Sequence, residues 1–511
     1  MAQLPHFVFS PTTLISAIGF MRGPDTTPAT PARDWRSVTV DVVIPAHNEQ
    51  DNIVRCLASV LSQKRQPRSV VVVDDGSTDR TAAVARAFSE FHGANIKVVR
   101  RSTSIGKTPT IKELARTLRS DVLFVLDADT LLESDTYIDR LVEELYRGVG
   151  IATACGSILP LRERDRKAAD ELPAVKWFAD AHPSHESAPR KSWWRRLASG
   201  ITNTYREVLY LFLQRIVCRG HMAMFGTIAN PAGCAVAYRR NYLETLFDTV
   251  EPRLGDDLTN SEDIFIGLGM LNEGYRNIQV LDVVARTVEP EVQRLPKQLY
   301  LWSSAFLQSA FYFDELLKSP FKVTRRQRDS RGAGRWGRRF ERVAAMPSRS
   351  VAYAGAAQAP VSDLMSSMTN LTNGLPRIWA SAGAADGSLG RERRNVQEPY
   401  RQAFGHEHTR IYGRPAGWAL FASSVEKIAF PTVMLLMLIF RNWEGMFITI
   451  SAETLIAVVA LTTVMKGQRI EYFAKGIAVA PLRYVLLVFE VATIARFVSD
   501  LWLTGNRRWR K

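Results

Sequence analysis

Four short apolar runs, separated by helical patterns, are the feature that most constrains the fold of this chain. The runs are rich in Val, Ile, Leu and Phe, are bounded by polar turn residues, and lie at residues 40–44, 70–73, 96–99 and 122–126. Strands that are apolar on both faces are typical of parallel sheets buried between helices. The helical patterns fall at residues 52–63, 80–91 and 110–118. This alternation predicts a doubly wound α/β domain that binds ligands beyond the carboxyl ends of its strands.

Acidic residues stand where the first two strands are expected to end. The first run leads into a Pro-Ala-His-Asn-Glu segment, Pro45 to Glu49, and the second into Asp74-Asp75-Gly76-Ser77. Carboxylates at this edge of a sheet can accept hydrogen bonds from a base and from ribose hydroxyls. Turn chemistry explains an Asp-Gly-Ser sequence equally well, so both interpretations stay open here.

The fourth run ends in a pair of carboxylates, in the triplet Asp127-Ala128-Asp129. Alternate residues of an extended segment lie on one side, so both carboxylates are predicted to face one pocket. Mg²⁺ and Mn²⁺ prefer such oxygen ligands and also bind diphosphate oxygens. The pair therefore predicts a metal site that serves a nucleotide diphosphate.

Two further groups could complete a reaction centre. Lys107 precedes a predicted helix and could reach phosphates, although a solvated loop lysine is an equally good interpretation. Ser261-Glu262-Asp263 opens another predicted helix, with Ser261 as its N-cap. The helix macrodipole favours carboxylates there, but one that faces the donor pocket could also deprotonate an acceptor hydroxyl.

The last hundred residues change character. Residues 419–440, 446–465 and 482–503 are each about long enough to cross a bilayer. The charges embedded in them (Glu426, Lys427, Glu453, Glu490 and Arg496) either face a bundle interior or reach the interfaces. We expect an integral protein of a plasma or inner membrane with a cytoplasmic catalytic domain and lipid contacts. Three crossings would place the basic tail against the positive-inside rule, so the number of spans stays open.

Composition divides the chain into five parts. They are an N-terminal interfacial segment (1–37), a catalytic domain (38–302), an amphipathic stretch (303–320), an arginine-rich insert (321–417) and the apolar region (418–511). The formal net charge of +15 suits lipid headgroups and nucleotide phosphates. No nucleic acid is expected as a partner, because the arginines are not interleaved with aromatic residues. The four cysteines form no Cys-x-x-Cys pair, which predicts reduced thiols.

Taken together and in this order, the motifs resemble those of the family 2 glycosyltransferases. Within that family they are most similar to the membrane-integrated synthases of hyaluronan, chitin and cellulose, over residues 38–318. The resemblance implies a GT-A type doubly wound, mostly parallel sheet, followed by interfacial helices and C-terminal transmembrane helices. It also implies inverting transfer from a UDP-hexose or UDP-N-acetylhexosamine to a glycan or lipid acceptor, with Mg²⁺ or Mn²⁺ as cofactor.

The resemblance also assigns roles to residues. On the donor side, Asp75 would contact uracil or ribose in a pocket shaped by Pro45 and Glu49, and Asp127 and Asp129 would hold donor and metal. The acceptor end would be lined by the segment around Gly233 and Cys234.

The catalytic base has two candidates under this resemblance. Asp263, beside Glu262, matches the family's base motif, and Asp257 lies in a Gly-Asp-Asp triplet that related synthases use. In those synthases the base precedes a Gly-aromatic pair by a helix of about three turns. Asp263 has this separation from Gly274 and Asp257 lies too far upstream, so Asp263 is the predicted base.

The polymerising branch carries a Gln-x-x-Arg-Trp motif that this chain matches only in part. Gln298 and Trp302 fit as acceptor-binding residues, but Leu301 stands in place of the arginine. Either Arg294 or Lys297 substitutes for it, or the enzyme differs in donor or processivity. A simple interface anchor is the other interpretation of Trp302.

Two glycosyltransferase hypotheses follow. The first is a processive polysaccharide synthase, and the second is a single-addition enzyme with a lipid or polyprenyl-phosphate acceptor, which the missing arginine and the few spans favour. Whether a partner subunit or an oligomer completes the enzyme is left open. An inactive scaffold is disfavoured by the complete set of carboxylates.

Overall fold

The fold is built on one eight-stranded mixed sheet. The computed structural model describes residues 10–22, 34–147, 150–182, 193–254, 261–290, 292–321, 416–465 and 467–503. The strands are β1 Val40–Ala46, β2 Ser69–Asp74, β3 Ile96–Arg100, β4 Val122–Leu126, β5 Thr130–Leu132, β6 Ile151–Pro160, β7 Ala235–Arg239 and β8 Arg276–Thr287. Their order across the sheet is β3-β2-β1-β4-β7-β6-β8-β5.

The helices divide into a catalytic set and an apolar C-terminal set. The catalytic set is α1 Pro11–Arg22, α2 Ile53–Leu61, α3 Thr81–His92, α4 Lys107–Thr117, α5 Tyr137–Arg147, α6 Glu163–Asp170, α7 Pro173–Ala181, α8 Trp193–Phe212, α9 Arg219–Phe225, α10 Arg240–Leu254, α11 Glu262–Asn272, α12 Leu295–Tyr312 and α13 Asp314–Leu317. A π-helical segment, Leu213–Cys218, joins α8 to α9. The C-terminal set is α14 Ala416–Ile439, α15 Trp443–Val464 and α16 Arg469–Val498.

The strand register brings the acidic strand ends to one edge of the sheet. Strands β1, β2, β3 and β4 are parallel, and Ala46 lies opposite Asp74. Strand β7 runs antiparallel to β4, with Leu126 opposite Ala235. The residue after β4 therefore meets the residue before β7, and the Asp127 N–H donates to the Cys234 carbonyl at 2.8 Å.

The predicted GT-A type α/β fold is confirmed, with four of the eight strands anticipated. The four apolar runs form β1 to β4, and the three helical patterns form α2, α3 and α4. Parallel pairing dominates the first half of the sheet, whereas β7 is antiparallel to both its neighbours. Strands β5 to β8 were not predicted; β7 is antiparallel to β4 and β6, β6 is parallel to β8, and β5 is antiparallel to β8 at the edge of the sheet.

Helix α11 places the predicted base motif inside the protein. Nine of its eleven residues are buried, so it is apolar around most of its circumference. The helix ends at Asn272, Glu273 is its C-cap, and Gly274 follows with a φ of 92°. This left-handed conformation favours glycine, and the predicted register from Asp263 to Gly274 agrees with it.

The three C-terminal helices are long and apolar enough to cross a membrane. They match the three predicted stretches, but α16 begins at Arg469, well before the predicted start at residue 482. They pack on α1, α8 and α12, so they are joined to the catalytic part by side-chain contacts. The arginine-rich insert (apart from its first residue and residues 416–417), the basic tail and Asp257 lie outside the described residues.

The charges in these helices are mostly turned toward protein. Glu426, Lys427 and Glu453 are buried. Thr12 of α1 donates to Glu426 at 2.9 Å, and Arg483 lies 3.7 Å from Glu453. This arrangement favours the bundle-interior interpretation for these charges. Nothing is described of the side chain of Glu490.

Helix α1 is packed against the protein, where the sequence predicted an interfacial segment with a bundle helix as the alternative. A Cβ added to Gly19 would lie 2.1 Å from the Gly220 carbonyl oxygen, and one added to Gly220 would lie 2.5 Å from Ser16. The two helix backbones therefore cross in contact, which only small residues permit. Residues 10–22 therefore pack on α9 and also on α14, and the interfacial assignment of residues 1–37 stays a prediction.

Candidate active site

Asp75 organises the loop that precedes α4. Its carboxylate is nearly buried and accepts hydrogen bonds from Ser104 Oγ (2.7 Å), the N–H groups of Ile105 (3.1 Å) and Gly106 (2.7 Å), and Arg101 (3.1 Å). Burial opposes ionisation of this carboxyl, but the four donors outweigh it and lower the pKa of Asp75. Four donors also fill the usual acceptor capacity of a carboxylate. A nucleotide contact of Asp75 stays a prediction, and it would require exchange of one of these partners.

Gly76 is fixed by the same loop. Its φ is 71°, and a Cβ there would lie 2.7 Å from the Ser104 nitrogen. Any other residue would clash with the loop backbone as well as adopt a strained conformation. The Asp-Gly-Ser turn therefore has a structural reason, namely that it lets the residue 103–106 loop close over the end of β2.

The segment after β1 is tied to the segment after β2. The Asn48 N–H donates to Ser77 Oγ at 2.9 Å, and the Glu49 N–H donates to Thr81 Oγ1 at 2.8 Å. The Glu49 carboxylate accepts from Asn52 at 2.7 Å. Burial, opposed by that hydrogen bond and reinforced by the charge of Asp127, raises the pKa of Glu49. Pro45 and Glu49 thus lie at the carboxyl end of β1, and their role in shaping a nucleotide pocket stays a prediction.

The carboxylates after β4 lie in a region of strongly negative electrostatic potential. Asp129 receives only long hydrogen bonds, from Thr130 at 3.3 Å and Thr287 at 3.5 Å. Burial and the neighbouring charges of Asp127 and Glu49 raise the pKa of Asp129 to about 8. The three carboxylates therefore repel one another at the end of β4, and a cation among them would relieve that repulsion.

These oxygens fit a divalent cation only if other ligands complete its shell. Asp127 and Asp129 supply the oxygen donors that Mg²⁺ or Mn²⁺ prefers. Within the described part of the chain, no group of three or more His, Cys, Asp or Glu side chains could hold a metal ion by itself. The residues present therefore suit an ion that shares its coordination with the diphosphate of a bound donor.

Lys107 joins the donor side of the site to the base motif. Its Nζ lies 2.6 Å from Asp127 Oδ1 and 2.5 Å from Glu262 Oε1, and it donates to the Gly233 carbonyl at 3.0 Å. Burial alone would lower the pKa of Lys107, but the two carboxylates outweigh it and raise that pKa well above its usual range. The charged lysine links three segments of the site, so it is not a solvated loop residue.

The predicted acceptor loop packs directly on the first turn of α11. A Cβ added to Gly233 would lie 2.8 Å from the Asp263 Cβ and 3.1 Å from Glu262 Oε1. One added to Gly267, further along the helix, would lie 2.5 Å from the Asn230 Cβ. Glycine at these positions lets the loop and helix touch, which places the backbone at Gly233 beside Asp263.

Asp263 occupies the second position of α11. One of its oxygens accepts the Ile264 N–H at 2.9 Å, and the side chain is half-buried. Ser261 stands at the N-cap, but no hydrogen bond from its side chain caps the helix. The helix start points its positive end at this carboxylate. The structure thus gathers Asp127, Lys107, Glu262, Gly233 and Asp263 in one continuous network.

Gln298 and Trp302 form a second cluster, which includes a residue that sequence reasoning missed. Both lie on α12, and Arg206 of α8 donates a hydrogen bond to Gln298 and places its guanidinium 4.7 Å from the centre of the Trp302 ring. Arg294 and Lys297, the substitutes suggested by the sequence, are exposed. No local signal singles out Arg206, because it is 92 residues from Gln298.

Comparison with known proteins identifies a family that part of this chain matches. Residues 41–247 match the model of the family described as Glycosyl transferase family 2. An N-acetylglucosaminyltransferase of Bradyrhizobium diazoefficiens is 26% identical over 285 residues, which cover 54% of this chain and 51% of the relative. An undecaprenyl-phosphate 4-deoxy-4-formamido-L-arabinose transferase of Edwardsiella ictaluri is 34% identical over 123 residues, covering 23% of this chain and 37% of the relative.

Among solved structures, a mannosyltransferase from Pyrobaculum calidifontis in complex with GDP-Man and Mn²⁺ is similar, with a TM-score of 0.45 and 15% identity. The match covers 96% of this chain and 94% of that one. The chain spans about half the length of the first curated relatives it matches. The family match covers strands β1 to β4, the Asp127 and Asp129 pair and the predicted acceptor loop. Residues 41–247 of the chain therefore form a family 2 glycosyltransferase domain.

Proposed function

We propose that the protein is an inverting glycosyltransferase that transfers a sugar from a nucleotide-diphosphate donor to an acceptor hydroxyl, with Asp263 as general base. The observation that carries the proposal is the Lys107 network, which joins the donor-side carboxylate Asp127 to Glu262 and to the Gly233 carbonyl. This network supports the proposal because it links the predicted donor region to the predicted base motif. The relatives named N-acetylglucosaminyltransferase make UDP-N-acetylglucosamine the first donor to test.

The chemistry follows from where each group lies. The acceptor hydroxyl enters beside Gly233, where Asp263 removes its proton as its oxygen attacks the anomeric carbon. The new glycosidic bond forms as the bond from that carbon to the diphosphate breaks on the opposite face, so the configuration inverts. The diphosphate leaves with the bonding electron pair. General-base assistance of this kind contributes about 10²–10⁴-fold in rate.

The leaving diphosphate needs positive charge, and two sources suit it. A divalent cation held by Asp127 and Asp129 would neutralise charge on the departing nucleoside diphosphate. Lys107 lies against Asp127 at 2.6 Å, so its charge is available at the same place. Glu262 keeps this lysine in position from the acceptor side, which gives it a positioning role beside Asp263.

The first test is nucleoside-diphosphate release by the purified, detergent-solubilised protein, with a panel of UDP- and GDP-sugars. We expect release with one donor in the presence of Mg²⁺ or Mn²⁺ and loss of release after EDTA treatment. The reason is that the Asp127 and Asp129 carboxylates are negatively charged like the diphosphate, so a cation is needed between them. Asp129→Asn should raise the metal concentration needed for half-maximal rate. The matched control is Asp135→Asn, an exposed carboxylate paired with Lys64. Full activity in EDTA would contradict the metal proposal.

We propose a polysaccharide as the product, with a single transfer to a lipid-linked acceptor as the second candidate. The Gln298 and Trp302 cluster on α12 packs beside the C-terminal helices and suits a growing glycan. The second candidate is favoured by the charges of α14 to α16. Glu453 and Arg483 lie close enough to pair with each other, so they need not line a polar path for a growing glycan. Product length on a gel separates the two, because a ladder supports polymerisation and one added sugar supports single transfer.

We further propose that the protein is inserted in a membrane through α14, α15 and α16 and that the first half of α8 lies at the lipid surface. Trp193, Trp194, Leu197 and Ile201 are each at least half exposed and share one side of α8. The later part of the same helix packs on α15 and α16. An aromatic face continuous with apolar spans is typical of the membrane interface.

Brominated lipids test this surface. The contribution of Trp193 and Trp194 is the difference in fluorescence between the parent protein and a Trp193→Phe/Trp194→Phe variant, both in nanodiscs. Brominated acyl chains should strongly quench that contribution. The matched control is Trp177→Phe, because Trp177 is equally exposed but lies on α7, which packs on α2 and α3. We expect the Trp177 component to be unaffected. Equal quenching of both components, or of neither, would contradict the proposed surface.

The side of the membrane is a separate proposal. We propose that the catalytic domain is cytoplasmic, because its cysteines are free thiols and the reaction consumes nucleotide sugars. Protease should then cleave the domain in inside-out vesicles and leave it intact in right-side-out vesicles; the reverse pattern would place it on the other side.

A further inference from the structure

Helix α12 lacks an arginine that its motif leads one to expect, and the neighbouring helix α8 carries a buried one. The Gln298–Trp302 segment resembles a motif in which an arginine precedes the tryptophan, and Leu301 stands there instead. Arg206 of α8 contacts both of the motif residues that remain. It donates to the Gln298 amide oxygen, and its guanidinium carbon lies 4.7 Å from the centre of the Trp302 ring. A cation at this distance is attracted by the electrons of the indole.

Arg206 is held where it cannot reach solvent. Its side chain is 1% exposed, and its Nε lies 3.5 Å from the Glu289 carboxylate, which is itself 2% exposed. Tyr210, one turn further along α8, also hydrogen-bonds to Glu289. A buried ion pair is weak as a source of stability, because apolar residues of equal volume do as well or better. The Arg206–Glu289 pair is therefore better explained by a role in orienting neighbouring side chains than by a contribution to stability.

The cluster is anchored to the segment that follows β4. The Val288 N–H, one residue before Glu289, donates to the backbone carbonyl of Asp129 at 3.3 Å. The Arg206 cluster, defined as Arg206, Tyr210, Glu289, Gln298 and Trp302, is therefore tied to the backbone of the residue that carries one of the two predicted metal-binding carboxylates.

Burial decides which substrate Arg206 can influence. A guanidinium that is 1% exposed cannot contact a donor diphosphate directly. It can fix the rotamers of Gln298 and Trp302, both of which are only partly buried. With its oxygen held by Arg206, the Gln298 amide turns its NH₂ group away from α8, where it can donate to a sugar hydroxyl. The contact over Trp302 likewise sets the plane on which a sugar ring can stack.

We infer that Arg206 is a positioning residue that supplies from α8 the arginine absent at Leu301, and that it acts on acceptor binding through Gln298 and Trp302, not on the donor diphosphate. The inference rests on the proposed glycosyltransferase function. It assigns the acceptor subsite a glycan that offers hydroxyls to an amide and a ring face to an indole.

The experiment uses two variants of the full-length protein. Arg206→Met removes the guanidinium and keeps most of the volume, but it leaves Glu289 buried without a counter-charge. Arg206→Met/Glu289→Gln removes both charges, so it should fold even if the single variant does not. The matched control is Arg65→Met/Asp139→Asn, which removes a partly buried ion pair beside α5.

Steady-state rates give the first readout, with N-acetylglucosamine oligomers as acceptor and UDP-N-acetylglucosamine as donor. We expect the acceptor KM of the double variant to rise about tenfold or more, because Gln298 and Trp302 are no longer held in place and one well-aligned hydrogen bond to the acceptor is lost. The donor KM and the rate of donor hydrolysis without acceptor should stay within about twofold of the parent, given the ~0.4 kcal/mol that this factor represents. The control double variant should leave all three unchanged.

Binding gives a readout that does not need turnover. Calorimetric titration with a tetramer of N-acetylglucosamine should show weaker binding to the folded double variant than to the parent. A higher donor KM with an unchanged acceptor KM would overturn the inference, because Arg206 would then act on the donor. Unchanged acceptor KM and tetramer affinity in a folded double variant would also overturn it, since the cluster would be structural only. Absence of nucleotide release from the parent would instead refute the proposed function, and the tetramer titration would still test Arg206.

Discussion

Replacement of Asp263 by Asn is expected to lower kcat by about 10²–10⁴-fold, the usual contribution of a general base, while the donor KM changes little. The physical reason is that an amide cannot accept the acceptor proton, whereas its shape and its hydrogen bond to the Ile264 N–H are retained. Nucleoside-diphosphate release at saturating acceptor measures the effect. The donor carboxylates and Lys107 are untouched, so donor binding serves as an internal check.

The matched control for this variant is Glu273→Gln. Glu273 is exposed and lies at the opposite end of the same helix, α11. It should keep the parental kcat, because it changes the charge of the helix without touching the pocket. If Asp263→Asn retained full activity, the base would lie elsewhere, and Asp257 would become the leading candidate.

Replacement of Lys107 by Met should impair both stability and catalysis. The lysine side chain is 21% exposed and pairs with Asp127 and Glu262 at 2.6 and 2.5 Å. Breaking a largely buried pair typically costs about 3–5 kcal/mol, because the remaining charge is left without a partner. In a domain of this size that corresponds to a fall in Tm of about 6–20 °C. We also expect nucleotide release to fall by at least about tenfold, as expected for the loss of one charged contact to the leaving group.

A second variant separates these two effects of Lys107. In Lys107→Met/Glu262→Gln the unpaired carboxylate beside Gly233 becomes neutral, so part of the lost Tm should return. Activity should not return, because no positive charge has been restored near Asp127. Lys64→Met, which removes an exposed pair with Asp135, should change neither property. Recovery of activity in the double variant would mean that Lys107 serves only to balance Glu262.

The first half of the sheet and the position of the acidic residues at its edge could be predicted from local sequence patterns. Buried parallel strands are encoded locally, as runs that are apolar on both faces, so β1 to β4 can be found without any partner. The position of Asp127 and Asp129 follows directly, because parallel strands present their carboxyl ends at one edge. The register of α11 was equally local, since Gly274 ends the helix with a φ of 92°.

The way in which these parts meet depends on contacts between segments that are distant in the sequence. Lys107 contacts the Gly233 carbonyl, 126 residues away, because antiparallel β7 inserts beside β4, and no local pattern announces that pairing. Arg206 reaches Gln298 from a different helix, while the sequence pointed to Arg294 and Lys297. Local periodicity specifies which face of an element is buried, but not which distant element covers it. The contacts that join donor, base and acceptor regions are all of this second kind, so they appear only when the chain is folded.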